Sequence, residues 1–194
     1  GFSGKEQDFQ SKDLARMLDN CDSKIDIALD KARTKENTTY TSYFFHEVIS
    51  YEPLNAPFIK PLKFKQTPLP LFLQGQVHGM RLAADTQQAR QLHLATKASA
   101  LYDKKLKMYK VTSCLSSMAE EIGRCRVFTP GWLENESIWL HMEYKYLLEL
   151  LKQGLHKEFY EEFKTVLIPF QKPQTYGRSI LENSRVPVGT VPIY

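Results

Sequence analysis

The chain has 194 residues, 42% of them hydrophobic, enough for one domain with a sizeable core. Its net charge of +4, from 26 basic and 22 acidic residues, is too small an excess to point to nucleic acid by itself. No apolar run approaches the ~18 residues of a membrane span, and the N-terminal GFSGKEQDF has neither the basic nor the apolar region of a secretory signal. Cys21, Cys114 and Cys125 are odd in number and widely spaced, so free thiols in a reducing compartment are expected. A cytoplasmic protein with no membrane partner is the resulting expectation. The first residue is not Met, and the chain reads as the inside of a longer one.

From residue 11 to residue 32, Leu14, Met17, Leu18, Cys21, Ile25, Ala28, Leu29 and Ala32 recur at helical spacing, which predicts an amphipathic helix. Ser11 is placed to cap it, and Asp13 suits the positive end of its dipole. Three heptads are few for a coiled coil, so a bundle or barrel helix is the reading. Residues 35–39 are polar and break the pattern. Residues 39–54 are aromatic and β-branched without a clean period, which reads as a short strand or an extended rim. Residues 55–70 contain Pro57, Pro61, Pro68 and Pro70 and read as an extended connection over a surface.

Two helices follow, over residues 71–84 and from a cap at Asp85, with Gln88 in the capping-box position, to about residue 101. Residues 102–118 alternate basic and apolar side chains, as a strand pair or an irregular rim. Residues 120–128 lead into a turn at Pro130-Gly131. Asn135 then reads as the N-cap of a helix. Its stripe is Ile138, Trp139, Met142, Tyr146, Leu147, Leu150 and Leu151, with Glu134, His141, Lys145 and Lys152 opposite. Gly154 ends it. A second helix carrying Phe159, Phe163, Val166 and Leu167 stops at Pro169, so the pair makes an antiparallel α-hairpin. Residues 171–177 read as a loop, and Ile180-Leu181 starts a short further element.

Four motifs stand in order along the chain: PLPLFLQGQVHGMRL from Pro68, LYDKKLKMYKV from Leu101, the segment from Pro130-Gly131 through Glu134-Asn135 to His141, and YGRSILENS from Tyr176. Together they resemble the catalytic domain of the cellobiose-phosphorylase-type glycoside phosphorylases, most of all the long members acting on β-glucan oligosaccharides. The resemblance implies a mainly α fold: a partial (α/α) toroid, a fragment of an (α/α)6 barrel, with short irregular or β rim segments. It assigns residues 1–184 to a piece of that barrel and residues 185–194 to a divergent tail, disordered or frame-shifted, because the pattern breaks off at Arg185. About twelve helices are needed for a full barrel, more than this length holds, so an exposed apolar flank and homo-oligomers are expected.

The resemblance also implies a chemistry: inverting phosphorolysis of a terminal β-glucosidic bond to give glucose 1-phosphate. A β-linked gluco-oligosaccharide and inorganic phosphate are the partners, with no other cofactor and no metal. His141 stands where the family holds the attacking phosphate, and Arg178 lies where the family returns to the pocket rim with a planar cation suited to phosphate. Glu134 and Asn135 stand where sugar hydroxyls are bound. Each has a plainer alternative: His141 as a solvated residue beside Lys145, Asn135 as a helix cap, Glu134 facing solvent, and Arg178 paired with Glu182.

No residue of the chain is assigned the catalytic role. Phosphorolysis needs one carboxylic acid at the leaving oxygen, since phosphate supplies the second group. The family carries that acid, an Asp, upstream of everything matched here, and completes its phosphate site downstream of Ser184, so the chain alone is expected to be inactive. His46-Glu47 begins like a zincin but lacks the second His, and neither a Gly-rich phosphate loop nor a nucleophile elbow is present. Lys104, Lys105, Lys107 and Lys110, interleaved with Tyr102 and Tyr109, form a patch of the kind that holds single strands, read here as a solvated face with no nucleic-acid partner. Two alternatives stand beside the phosphorylase: a stand-alone helical interaction module, and a hydrolase, which needs a second carboxylate.

Overall fold

Local pattern and tertiary packing part company at the first helix of the computed structural model, which describes residues 8–34 and 38–167 and five isolated positions outside them. Helix α1 (Ser11–Ala32) spans the predicted residues, with Asp13 in its first turn. Its N-cap is Gln10 without a side-chain bond, so Ser11 is the first helical residue and not the cap. None of its residues is buried, and Leu14, Met17, Leu18 and Ile25 all stand exposed.

Residues 40–70 are not a rim of loops. They form two ten-residue strands, β1 (Phe44–Pro53) and β2 (Ile59–Pro68), antiparallel from Phe44 opposite Pro68 to Pro53 opposite Ile59. The register slips between Val48 and Tyr51, a bulge that hides the alternation sequence reading relies on. Prolines fit because each strand of a two-stranded sheet has a free edge, where a missing N–H breaks no ladder bond. Glu52–Lys60 at 3.3 Å and Glu47–Lys65 at 3.6 Å face each other across the strands.

The buried core belongs to four helices. α2 (Leu73–Arg81) and α3 (Thr86–Ala98) make one hairpin. Asp85 caps α3 by accepting from the Gln88 N–H at 2.8 Å, and the Gln88 side chain accepts in turn from the Ala84 N–H at 2.6 Å. A two-residue pair, β3 (Tyr102–Asp103) with β4 (Met108–Tyr109), follows, then the short helix α4 (Arg124–Val127). The second hairpin is α5 (Leu140–Lys152) and α6 (His156–Val166), with Gly154 at φ 75° in the link, a backbone conformation that glycine adopts without strain. α5 lies against both α2 and α6. Leu73, Val77 and Met80 of α2 meet Leu140, Tyr146, Leu147 and Leu150 of α5, with Leu92, Met108, Tyr109, Leu155 and Val166 closing the cluster.

Segment 40–43 is clamped onto α2. The Gln76 amide, fully buried, accepts from the Tyr40 N–H at 3.1 Å and donates to the Tyr40 carbonyl at 2.7 Å. Gly75 and Gly79 make the approach possible. A Cβ at Gly75 would meet Ser42 Oγ at 2.5 Å, and one at Gly79 would overlap the Tyr40 ring.

The expected mainly α toroid is therefore corrected to an α+β mixed fold: among the described residues, six helices and two small antiparallel two-stranded sheets. The physical reasons are a hairpin of two ten-residue strands where short irregular or β rim segments were expected, and α1, whose apolar stripe enters no ring of helices. No helix among the described residues is long and apolar enough to cross a membrane.

Candidate functional site

The loop between α4 and α5 carries the residues singled out by sequence, and its backbone is under strain. Leu133 at φ 45° and Glu136 at φ 57° are both in the left-handed region, which costs a side-chain-bearing residue ~1–2 kcal/mol. Gly131 at φ 89° takes a similar turn. The loop closes on itself: Trp132 N–H donates to the Thr129 carbonyl at 2.9 Å, Gly131 N–H to Asn135 at 2.7 Å, and Asn135 N–H to Trp132 at 3.1 Å. Ser137 Oγ and the Trp139 indole N–H both donate to the Leu133 carbonyl, the latter at 3.0 Å.

Residues 111–113 hang this loop on α2. Val111 N–H donates to the Ser137 carbonyl at 2.7 Å, while Leu73 N–H and Ser113 N–H tie the same segment to the start of α2 at 2.9 and 2.8 Å. The buried Thr112 hydroxyl donates to the Glu134 carbonyl at 2.6 Å and accepts from the Glu136 N–H at 3.2 Å. Sequence reading passed over Thr112, and nothing in its neighbours' pattern marks it.

Asn135 is not the helix cap. It is fully buried, its Oδ1 accepting from the Leu115 N–H at 3.1 Å and its amide donating to the Phe128 carbonyl at 2.8 Å. It ties the loop to its own start at Phe128 and to the segment at Leu115, and with both groups of its amide engaged it is buried away from solvent. The cap of α5 is Trp139, whose side chain makes no capping bond, while its backbone carbonyl accepts from the Met142 and Glu143 N–H groups at 2.9 and 3.0 Å.

His141 is the second residue of α5, in the first turn rather than the second. Its ring lies 5.4 Å from that of Trp139. Partial burial, and then the charge of Lys145, lower its pKa, so the neutral imidazole is favoured. A neutral ring in the first turn, at the positive end of a helix, can donate to an anion.

Glu134 is half-withdrawn. One oxygen pairs with exposed Arg124 at 2.8 Å, while Oε2 is buried and has no partner among the described residues. Glu136 pairs with Lys110 at 2.7 Å. Arg124 and Lys110 are the cations the sequence did not single out here. Their signal was weak, for neither lies at helical spacing from its carboxylate. Lys110 is thereby removed from the basic patch, and Tyr109 of that patch is fully buried. Arg178, the other expected phosphate contact, and the tail 185–194 lie outside the described residues.

Beneath the loop, α5 buries Glu143 completely. Its Oε1 accepts from the Tyr109 N–H at 2.8 Å and its Oε2 has no partner among the described residues. Burial raises its pKa far above the usual carboxylate range, with nearby Glu162 adding to the effect. Glu162, paired with Lys97, is raised by burial too. On the same side His93 Nδ1 lies 3.1 Å from the Tyr146 hydroxyl, and burial pushes its pKa down to about 4. Sequence reading missed this layer, since Glu143 looks like an ordinary first-turn acid.

All three cysteines are free thiols, and among the described residues no group of His, Cys, Asp and Glu is placed to hold a metal ion. Comparison with family models, with curated proteins and with solved structures finds no match to this chain.

Proposed function

We propose that the chain is part of a carbohydrate-active enzyme that performs inverting phosphorolysis of a terminal β-glucosidic bond. The observation that carries this reading is the strained loop that bears Glu134 and runs into the first turn of α5, where His141 stands. Strain of this kind collects at ligand sites, because only an over-determined fold keeps it. The same residues carry the motif resemblance, whose implied toroid is replaced here by an α+β mixed fold.

A phosphate oxygen attacks the anomeric carbon as the glycosidic C–O bond breaks, and a carboxylic acid protonates the departing oxygen. His141 and the first N–H groups of α5 hold phosphate, Arg178 adds a cation, and Glu134 contacts sugar hydroxyls. The acid is assigned to no residue of this chain, so the chain binds its ligands without turning them over. Free thiols suit a cytoplasmic setting.

Titrating inorganic phosphate into the protein while following the His141 imidazole by nuclear magnetic resonance tests the phosphate half. A saturable shift that is lost in His141→Ala supports it. No shift, or one retained in the variant, removes His141 from the site. A second reading, a helical interaction module, is favoured by α1, whose stripe from Leu14 to Ile25 stands exposed among the described residues. It predicts a defined dimer or complex and no response to phosphate or sugar.

A further inference from the structure

Helix α1 is the longest described helix, and none of its 22 residues is buried. A segment of this composition has little reason to be helical alone. It carries five Asp, one Asn and two Ser, all poorer helix formers than Ala or Leu, and helices of this kind are held by packing an apolar face. Only its end is anchored. Leu29 and Ala32 are half-buried and border segment 40–43, and the Ala32 carbonyl accepts from the Thr41 N–H at 2.6 Å. Before that anchor Leu14, Met17, Leu18 and Ile25 stand exposed, and so does the Cys21 thiol.

The spacing of that stripe says what it fits. Leu14, Leu18, Cys21, Ile25 and Ala28 follow one another at steps of four, three, four and three, the a and d positions of a heptad and the narrow seam of a two-stranded coiled coil. None of the five is charged. Asp13 and Arg16, paired at 3.0 Å, lie on the opposite face with Asp19 and Asp26. A bundle helix covers its stripe with its own domain, and among the described residues α1 does not. A membrane surface is disfavoured, because five acidic against four basic residues leave the helix at −1, the wrong sign for anionic lipid. A second copy meets no such obstacle. In parallel alignment Lys24 of one copy lies beside Leu29 of the other, and Met17 beside Asp22, so the flanks bring no like charges together. At ~1.5 Å per residue the helix is about 33 Å long, and the pair covers on the order of 800–1,000 Å², the low end for a specific interface.

We propose that α1 pairs in parallel with α1 of a second copy of this chain, the residues from Leu14 to Ala28 on the seam meeting their own counterparts. The small area makes the dimer weak and dependent on concentration. The pairing stands independently of the phosphate reading, whose residues lie at the start of α5.

Sedimentation velocity of the whole chain from about 1 to about 300 μM tests this. The expected result is a monomer–dimer equilibrium in the micromolar range, lost in Leu18→Asp and kept in Asp19→Ser on the outer face. Leu18 is exposed in the single chain, so both variants are expected to fold, and circular dichroism checks this. Amide exchange in α1 should be fast at the dilute end and slow several-fold as the dimer fills. In a chain carrying Cys114→Ser and Cys125→Ser, mild oxidation should join two copies through Cys21. In parallel register the two thiols face each other, whereas an antiparallel pair sets Cys21 against a different residue. A monomer over the whole range, a dimer that survives Leu18→Asp or is lost in both variants, or a dimer without the Cys21 cross-link overturns the proposal. Binding to vesicles of anionic lipid with no self-association overturns it too.

Discussion

Asn135 and Glu143 show how far a residue's role depends on what lies across the fold. Asn135 has the right identity for a cap, and its position before an apolar run suggests one. Its amide instead spans Leu115 and Phe128, partners twenty and seven residues away that no local pattern announces. Asn135→Ala should therefore leave the start of α5 unchanged and destabilise the protein by ~1–3 kcal/mol, through the orphaned Leu115 N–H and Phe128 carbonyl, read by urea unfolding. A loss of only a few tenths would return it to a surface role. Glu143 makes a pH prediction. Its folded pKa lies above its unfolded value, so the folded state holds the extra proton between the two. Stability from this group is full below the unfolded value of ~4.3 and falls as pH rises through that window. Glu162, Lys97, Tyr109, Tyr146 and His93 face the same layer, and His93, lowered to about 4, acts in the opposite sense, losing stability as pH falls below its ordinary value. Glu143→Gln keeps an acceptor for the Tyr109 N–H, and comparing it with the native protein cancels the His93 contribution. The variant's stability advantage should grow as pH rises from 4; parallel profiles would contradict the account.

At the scale of elements, what the sequence made legible is what neighbouring residues decide. The span of α1, the Asp85 cap and the α5–α6 hairpin follow from apolar spacing, a carboxylate and a glycine within one turn of where they act. The β1–β2 hairpin was hidden because its prolines are breakers in a central strand but not at a free edge, and the bulge between Val48 and Tyr51 resets the alternation. The Gly75 and Gly79 pair reads locally as a weak helix, while its purpose is to admit segment 40–43. Gly79→Ala should thus cost ~1–3 kcal/mol from the clash with Tyr40 and Leu92, although alanine is the better helix former. If it stabilises the protein, the clamp on Tyr40 is not tight. Amide hydrogen exchange should separate the elements as well. α1 buries nothing and is expected to exchange fastest among the long helices, with α2 and α5 slowest. Equal protection of α1 would mean that its stripe is covered in solution.

For the whole molecule, the candidate site was legible as a segment and not as a geometry. The turn at Pro130-Gly131 and a helix carrying His141 could be read from spacing, but not its start at Leu140, which puts His141 in the first turn. The left-handed residues Leu133 and Glu136, and the cations Arg124 and Lys110 that pair the loop's carboxylates, come from contacts between segments distant in the chain. The expected toroid failed for a related reason: helical periodicity says which residues share a face, not which neighbour that face meets. The loop and the start of α5 are proposed to form one ligand site for phosphate and a β-linked gluco-oligosaccharide. The most direct measurement is the His141 imidazole shift during phosphate titration, repeated with the oligosaccharide present. The account predicts a saturable shift that tightens when the sugar is bound, since the two ligands share one site. A His141 resonance indifferent to phosphate, with and without sugar, would contradict it.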